Sequence, residues 1–165
     1  MNKGQIETIL ADISERLSWY TIGIVKESST TKKSDISLLG SGTLIEFNNV
    51  FAILTAQHLT KELNNVEQFG IILDKNEHRF FLNRQHVSFI EFSSSQKSAK
   101  GPDLALIKLH GNIVEIFKAK KSFYSLSLFK DCGVLNHLCY QEGLWNLSGF
   151  IEGLTKQSDS IYAFD

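Results

Sequence analysis

The chain has little of what would place it outside the ordinary globular class. Its 165 residues include one proline, one methionine and two cysteines. Cys132 and Cys139 are too few for a disulfide framework, so they read as reduced thiols of an intracellular protein; a bridge between them would close only a small loop. No run approaches the roughly 18 apolar residues that span a bilayer. No basic segment followed by an apolar one marks a secretory signal, so the expected location is cytoplasmic. Charge of one sign is also missing. Seventeen Lys and Arg stand against 18 Asp and Glu, a net charge of −1, which gives no reason to expect nucleic acid or an anionic membrane as partner. The lysine pairs at 32–33 and 120–121 read as solvated surface.

The composition that is present has a globular balance, 42% hydrophobic and 21% charged. At this length it can bury a real core. Ile6, Ile9, Leu10, Ile13 and Leu17 recur at helical spacing, which predicts one amphipathic helix over 4–17, packed on the outside of the strands that come after it. From Trp19 the period becomes strand-like. Strands are expected over 19–25, 36–47 (interrupted by Gly40-Ser41-Gly42), 50–55, 69–73, 79–82, 87–92 and 103–109. Asn48-Asn49 between two apolar runs reads as the tip of a tight hairpin, because Asn tolerates positive φ. Residues 59–65 fit one or two helical turns. In 87–92, Val87, Phe89 and Glu91 alternate with Ser88, Ile90 and Phe92. No helix in this span is long enough for a βαβ crossover, so the fold is expected to be mainly β, an antiparallel barrel or sandwich.

Residues 110–165 carry a fainter pattern. Residues 113–117 fit a strand or a helical turn, 122–129 a loop or strand, and 134–140 and 144–150 are strand candidates around a turn at 141–143. The chain closes in an apolar run, 161–165. The 12 phenylalanines are expected to fill barrel cores.

The residues that bear on chemistry stand at strand ends. The run 50–54 leads through Thr55-Ala56-Gln57 to His58, and Asp103, 45 positions later, opens Asp103-Leu-Ala-Leu-Ile-Lys-Leu109. An Asp that accepts from His Nδ1 fixes the tautomer, leaves Nε2 as a base and stabilises the imidazolium. A carboxylate at the end of a buried strand needs such a partner. Pro102 pushes Gly101 into an extended conformation, which helps aim Asp103. His78, His86, His110 and His137 show no metal spacing, and His137-Leu-Cys139 with Glu142 is too sparse for zinc. No glycine-rich phosphate loop is present, so neither metal nor cofactor is expected.

Gly40-Ser-Gly-Thr-Leu-Ile, then Ala52-Ile-Leu-Thr-Ala-Gln-His58, then Asp103-Leu-Ala-Leu-Ile-Lys-Leu together resemble the trypsin-like serine peptidases of chymotrypsin fold. The resemblance covers residues 38–109, the family's first barrel. It implies His58 as general base and Asp103 as its orienting carboxylate, with Gln57 where a small Ala is usual. Leu144-Trp-Asn-Leu-Ser-Gly-Phe-Ile-Glu152 is similar to a second-barrel strand of bacterial members, with Ile151 where they have Pro. The implied organisation is an N-terminal helix at 1–18, a first β-barrel at 19–112 and an incomplete second barrel at 113–165.

The family's nucleophile sits in Gly-x-Ser-Gly, whose backbone N–H groups form an oxyanion hole. That segment does not occur here, and 62 residues follow Asp103 where the archetype places its Ser roughly 90 residues after the Asp. Ser148-Gly149 has the right dipeptide but falls inside a candidate strand. Cys132-Gly133 comes too early for the strands that must precede it, and Ser158 and Ser160 lack flanking glycines. The expected function is therefore a trypsin-like serine endopeptidase working by a Ser-His-Asp mechanism, inactive as this chain for want of a nucleophile. The alternative is a non-catalytic peptidase-like module that binds peptides or partners. A peptide or protein substrate and self-association through the incomplete second barrel are the expected partners.

Overall fold

The computed structural model describes residues 2–28, 35–73, 79–92, 103–129, 155–158 and 161–164. Helix α1 (Lys3–Ser18) starts where Asn2 can cap it. The Gln5 backbone N–H donates to the Asn2 side chain and the Asn2 N–H to the Gln5 side chain, both at 2.9 Å, so two otherwise orphan donors are satisfied. Its apolar stripe, however, is covered only in part. No residue of α1 is buried; Ile6, Ile9 and Leu10 are each 41% exposed, and Ile13 and Leu17 are half-buried. The expected packing of the helix on the outside of the strands is therefore only partial. Hydrogen bonds hold its C-terminal end instead: Thr21 Oγ1 donates to Leu17 O, Lys121 Nζ to Ser18 O and the Ser122 N–H to Trp19 O.

Beyond α1 come seven strands: β1 (Thr21–Ser28), β2 (Asp35–Phe47), β3 (Val50–Thr55), β4 (Gln68–Ile72), β5 (Arg79–Asn83), β6 (Val87–Glu91) and β7 (Ala105–Leu109), with helix α2 (Gln57–Leu63) between β3 and β4. They form one antiparallel sheet in the order β5-β4-β1-β2-β3-β7-β6. Its outermost strands are consecutive in the chain and joined by a single 3-10 turn, Arg84–His86, so the sheet curls into a half-barrel that brings its edges toward each other. The expected mainly β, barrel-like architecture is present. Among the described residues no helix is long and apolar enough to cross a membrane.

Local chemistry explains the framework. Asn48 and Asn49 have φ of 50° and 62°, which makes a two-residue turn whose twist matches the flanking strands, and Phe47 pairs with Val50 across it. Gly40–Gly42 do not interrupt β2: they pair regularly with Ile24, Gly23 and Ile22, and a bulge falls one residue earlier in the same continuous strand. Ile24 opposes Gly40 while Val25 opposes Leu38, so Leu39 is the extra residue. On the concave side, Ile22, Ile24, Leu44, Ile53, Ile71 and Ile107 join one core with Leu59 and Leu63 of α2. Val25, Leu38 and Ile72 make a second, smaller cluster. Phe69 and Phe117 are fully buried, whereas Phe47, Phe81 and Phe92 are exposed, so the phenylalanines fill the core only in part.

The core does not stop at residue 112. Helix α3 (Asn112–Lys118) buries Val114 and Phe117 in the main core, and β8 (Tyr124–Ser125) pairs in parallel with Ile45 and Glu46 of β2. These residues therefore belong to the first sheet and do not open a second barrel. Gly111, at φ 47°, sets the turn into α3. Phe117 stacks edge-on to Phe80 at 6.0 Å and lies 6.5 Å from Phe123, which packs against Phe51 at 5.0 Å. Strand candidates 134–140 and 144–150 lie outside the described residues. A separate hairpin joins β9 (Thr155–Ser158) to β10 (Ile161–Phe164).

Candidate active site

The antiparallel pairing of β3 with β7 sets Thr55 opposite Ala105, so the exit of one strand and the entrance of the other share one end of the sheet. Thr55 Oγ1 also donates to Ser41 O at 2.8 Å, pinning the end of β3 to β2. Helix α2 begins at once, and His58 is its second residue. Ala56 occupies the N-cap position and has no side chain able to cap. Asp103, two residues before β7, does that work from another strand. The His58 backbone N–H donates to Asp103 Oδ1 at 2.9 Å, and the Gln57 N–H reaches the same carboxylate.

The imidazole completes the arrangement. His58 Nδ1 lies 2.5 Å from Asp103 Oδ2. The hydrogen bond from the imidazole, followed by the one from the His58 N–H, holds the Asp103 carboxyl below its ordinary value. An ionised carboxylate only accepts, so Nδ1 carries the proton and Nε2 of the neutral ring presents a lone pair. The chemistry available is therefore that of an oriented base whose protonated form sits against an anion. Both side chains face solvent, His58 at 66% and Asp103 at 56% exposure. The sequence predicts a carboxylate paired in order to survive burial; here pairing comes with exposure.

A second carboxylate approaches the same helical turn. Glu91, at the end of β6, accepts from Gln57 Nε2 and from Thr60 Oγ1, each at 2.9 Å. These bonds, Gln57 first, hold its carboxyl below the usual range. The position of Gln57 is thus explained by a partner. Sequence reasoning passed over Glu91 and Thr60. Parity puts Glu91 on the same side of its strand as buried Val87, but Glu91 is itself exposed, so burial gave no reason to look for donors.

Other candidates lie elsewhere. Ser148, Cys132 and Ser160 are outside the described residues, and Ser158 falls in the β9–β10 hairpin. His110 follows the far end of β7, where Ser88 Oγ meets its Nε2 at 2.9 Å, and His86 is in the 3-10 turn. Among the described residues no hydroxyl bonds to Nε2 of His58, and no group of three metal-ligating side chains gathers. No family model, no curated protein and no solved structure matches this chain.

Proposed function

We propose that the half-barrel is the base-bearing half of a trypsin-like serine endopeptidase in a chymotrypsin-type fold, with His58 as general base and Asp103 as the carboxylate that orients it. The observation carrying this reading is the double grip of Asp103 on His58, one oxygen on the ring and one on the backbone N–H. A single grip would leave the ring free to turn about its side-chain bonds. In the reaction, a serine hydroxyl loses its proton to Nε2 as its oxygen attacks a peptide carbonyl. The imidazolium formed against Asp103 then protonates the leaving amine, and water hydrolyses the acyl-enzyme by the same base. The solvent-facing side of the pair is where a second barrel with its nucleophile would close.

The test is labelling of the protein, as its source makes it, with a fluorophosphonate probe. The expected result is one serine adduct, lost in His58→Ala. Absence of any adduct would favour the non-catalytic, peptide-binding alternative. For residues 1–165 alone no adduct is expected, since Gly-x-Ser-Gly is missing; an adduct at Ser148 would make that residue the nucleophile.

A further inference from the structure

We propose that Glu91 is a positioning residue, whose carboxylate grips the residues on either side of His58 and so keeps the imidazole on Asp103. Helix α2 has seven residues and no side-chain cap of its own, so its first turn is not self-supporting. Glu91 uses its two oxygens separately. One accepts from Gln57, immediately before His58, and the other from Thr60, two residues after it. Thr60 is fully buried, and its hydroxyl also lies 2.7 Å from Gln57 O, so its single proton is shared between that carbonyl and Glu91.

The framework behind the two carboxylates is shared. Glu91 opposes Ala105 in the β6–β7 ladder, and the Phe92 N–H donates to Leu104 O at 3.0 Å, extending the pairing to the residue beside Asp103. Both acids therefore reach α2 from one end of one strand pair. Asp103 holds His58 itself; Glu91 holds its neighbours. A shift of α2 large enough to part His58 from Asp103 must also stretch the Glu91 bonds. An Ala at position 57 would leave Glu91 with Thr60 alone. The inference rests on the proposed role of His58 for its catalytic meaning, but its geometry stands apart from any nucleophile.

Two variants separate clamping from charge. Gln57→Leu with Thr60→Val keeps the Glu91 charge and removes both donors, whereas Glu91→Gln removes the charge and keeps one acceptor oxygen. The readouts are the tautomer of His58, from ¹⁵N NMR of the neutral ring, and the exchange rate of the His58 amide, each set beside the urea midpoint. Clamping predicts that the double variant loses its preference for the Nδ1–H form and exchanges the His58 amide about tenfold faster, a factor ordinary for a lost charge-assisted hydrogen bond, with a smaller change at other core amides. Unchanged tautomer and exchange despite a lower urea midpoint would overturn the proposal and leave Glu91 a merely structural residue. A response confined to Glu91→Gln would overturn it in favour of a charge effect. If Thr60→Val does not fold, Gln57→Ala alone is expected to shift both signals in the same direction, and no shift counts against the clamp. None of these signals needs a serine. A chain that never labels with phosphonate yet shows the clamp signature sinks the peptidase reading only, and a labelled chain without the signature sinks the clamp only.

Discussion

Replacing Gly42 with alanine probes the packing directly beneath the site. A Cβ at that position would stand 2.3 Å from Ile53 Cγ2, 3.2 Å from the Leu54 carbonyl oxygen and 3.4 Å from Ile22 Cδ1. Ile22 and Ile53 are fully buried, and a β-branched side chain has few rotamers to escape into. Overpacking of this kind costs about 1–3 kcal/mol. An ordinary Gly-to-Ala change returns about 0.4–1 kcal/mol through the unfolded chain, so the net loss expected is about 1–2 kcal/mol. Ile53→Ala alone should lose about 2–5 kcal/mol by leaving a cavity. Combined, the new methyl occupies space that Ile53 Cγ2 has vacated, and the loss should fall short of the sum by about 1–2 kcal/mol. Compensation stays incomplete because the Leu54 carbonyl does not move aside. The assay is urea unfolding by far-UV circular dichroism, with the m-value held as a check on two-state behaviour. Additivity within about 0.5 kcal/mol would refute the claim that Gly42 and Ile53 compete for one space, and with it the register of β2 on β3.

Stability should fall with acid. Asp103, Glu91 and Glu46 have carboxyls held below their ordinary values of 3.8, 4.5 and 4.5, by hydrogen bonds from the His58 ring, the Gln57 amide and the Ser125 hydroxyl respectively. Since the unfolded chain takes up these protons first, the stabilisation is complete above the ordinary values and drains away as pH drops through and below them. Urea midpoints measured from pH 7 downward should hold level to about pH 5 and then decline, with a shallower decline in Glu46→Gln; midpoints that rise in acid would contradict the assignment. Phe117→Ala should cost about 3–5 kcal/mol, because the ring is fully enclosed, while Phe81→Ala at an exposed site should cost about 1 kcal/mol or less. Equal losses in the two would show that α3 does not complete the core.

Much of the framework was legible because it depends on neighbours in sequence. Asn48-Asn49 announces its turn by residue type, and β2, β3 and β7 announce themselves by apolar runs. The His58–Asp103 pair was legible from their strand-end placement together with the motif around each. The features that escaped depend on distant register. Nothing near Glu91 says that β6 will carry it to α2, 31 positions earlier. The stripe of α1 shows that a face is apolar, and periodicity carries no information about whether anything covers it. Residues 113–117 are too short a run to distinguish strand from helix. The outcome is decided by Val114 and Phe117, which meet the sheet together only as a helix.

The extra residue in β2 makes the tolerance of this chain to changes in length uneven. On its N-terminal side Leu38 joins Val25 and Ile72 on the convex surface; on the other side Gly40 faces Leu59 in the concave interior. Removing Leu39 would leave Leu38 and Gly40 as direct neighbours on opposite faces, so the ladder to Val25 and Ile24 would run on regularly and neither flank would turn over. A one-residue deletion within the regularly paired stretch Thr43–Phe47 is, by contrast, a change of sidedness that exchanges inner and outer side chains along one flank. The same deletion in a connecting turn would alter only a path between strands.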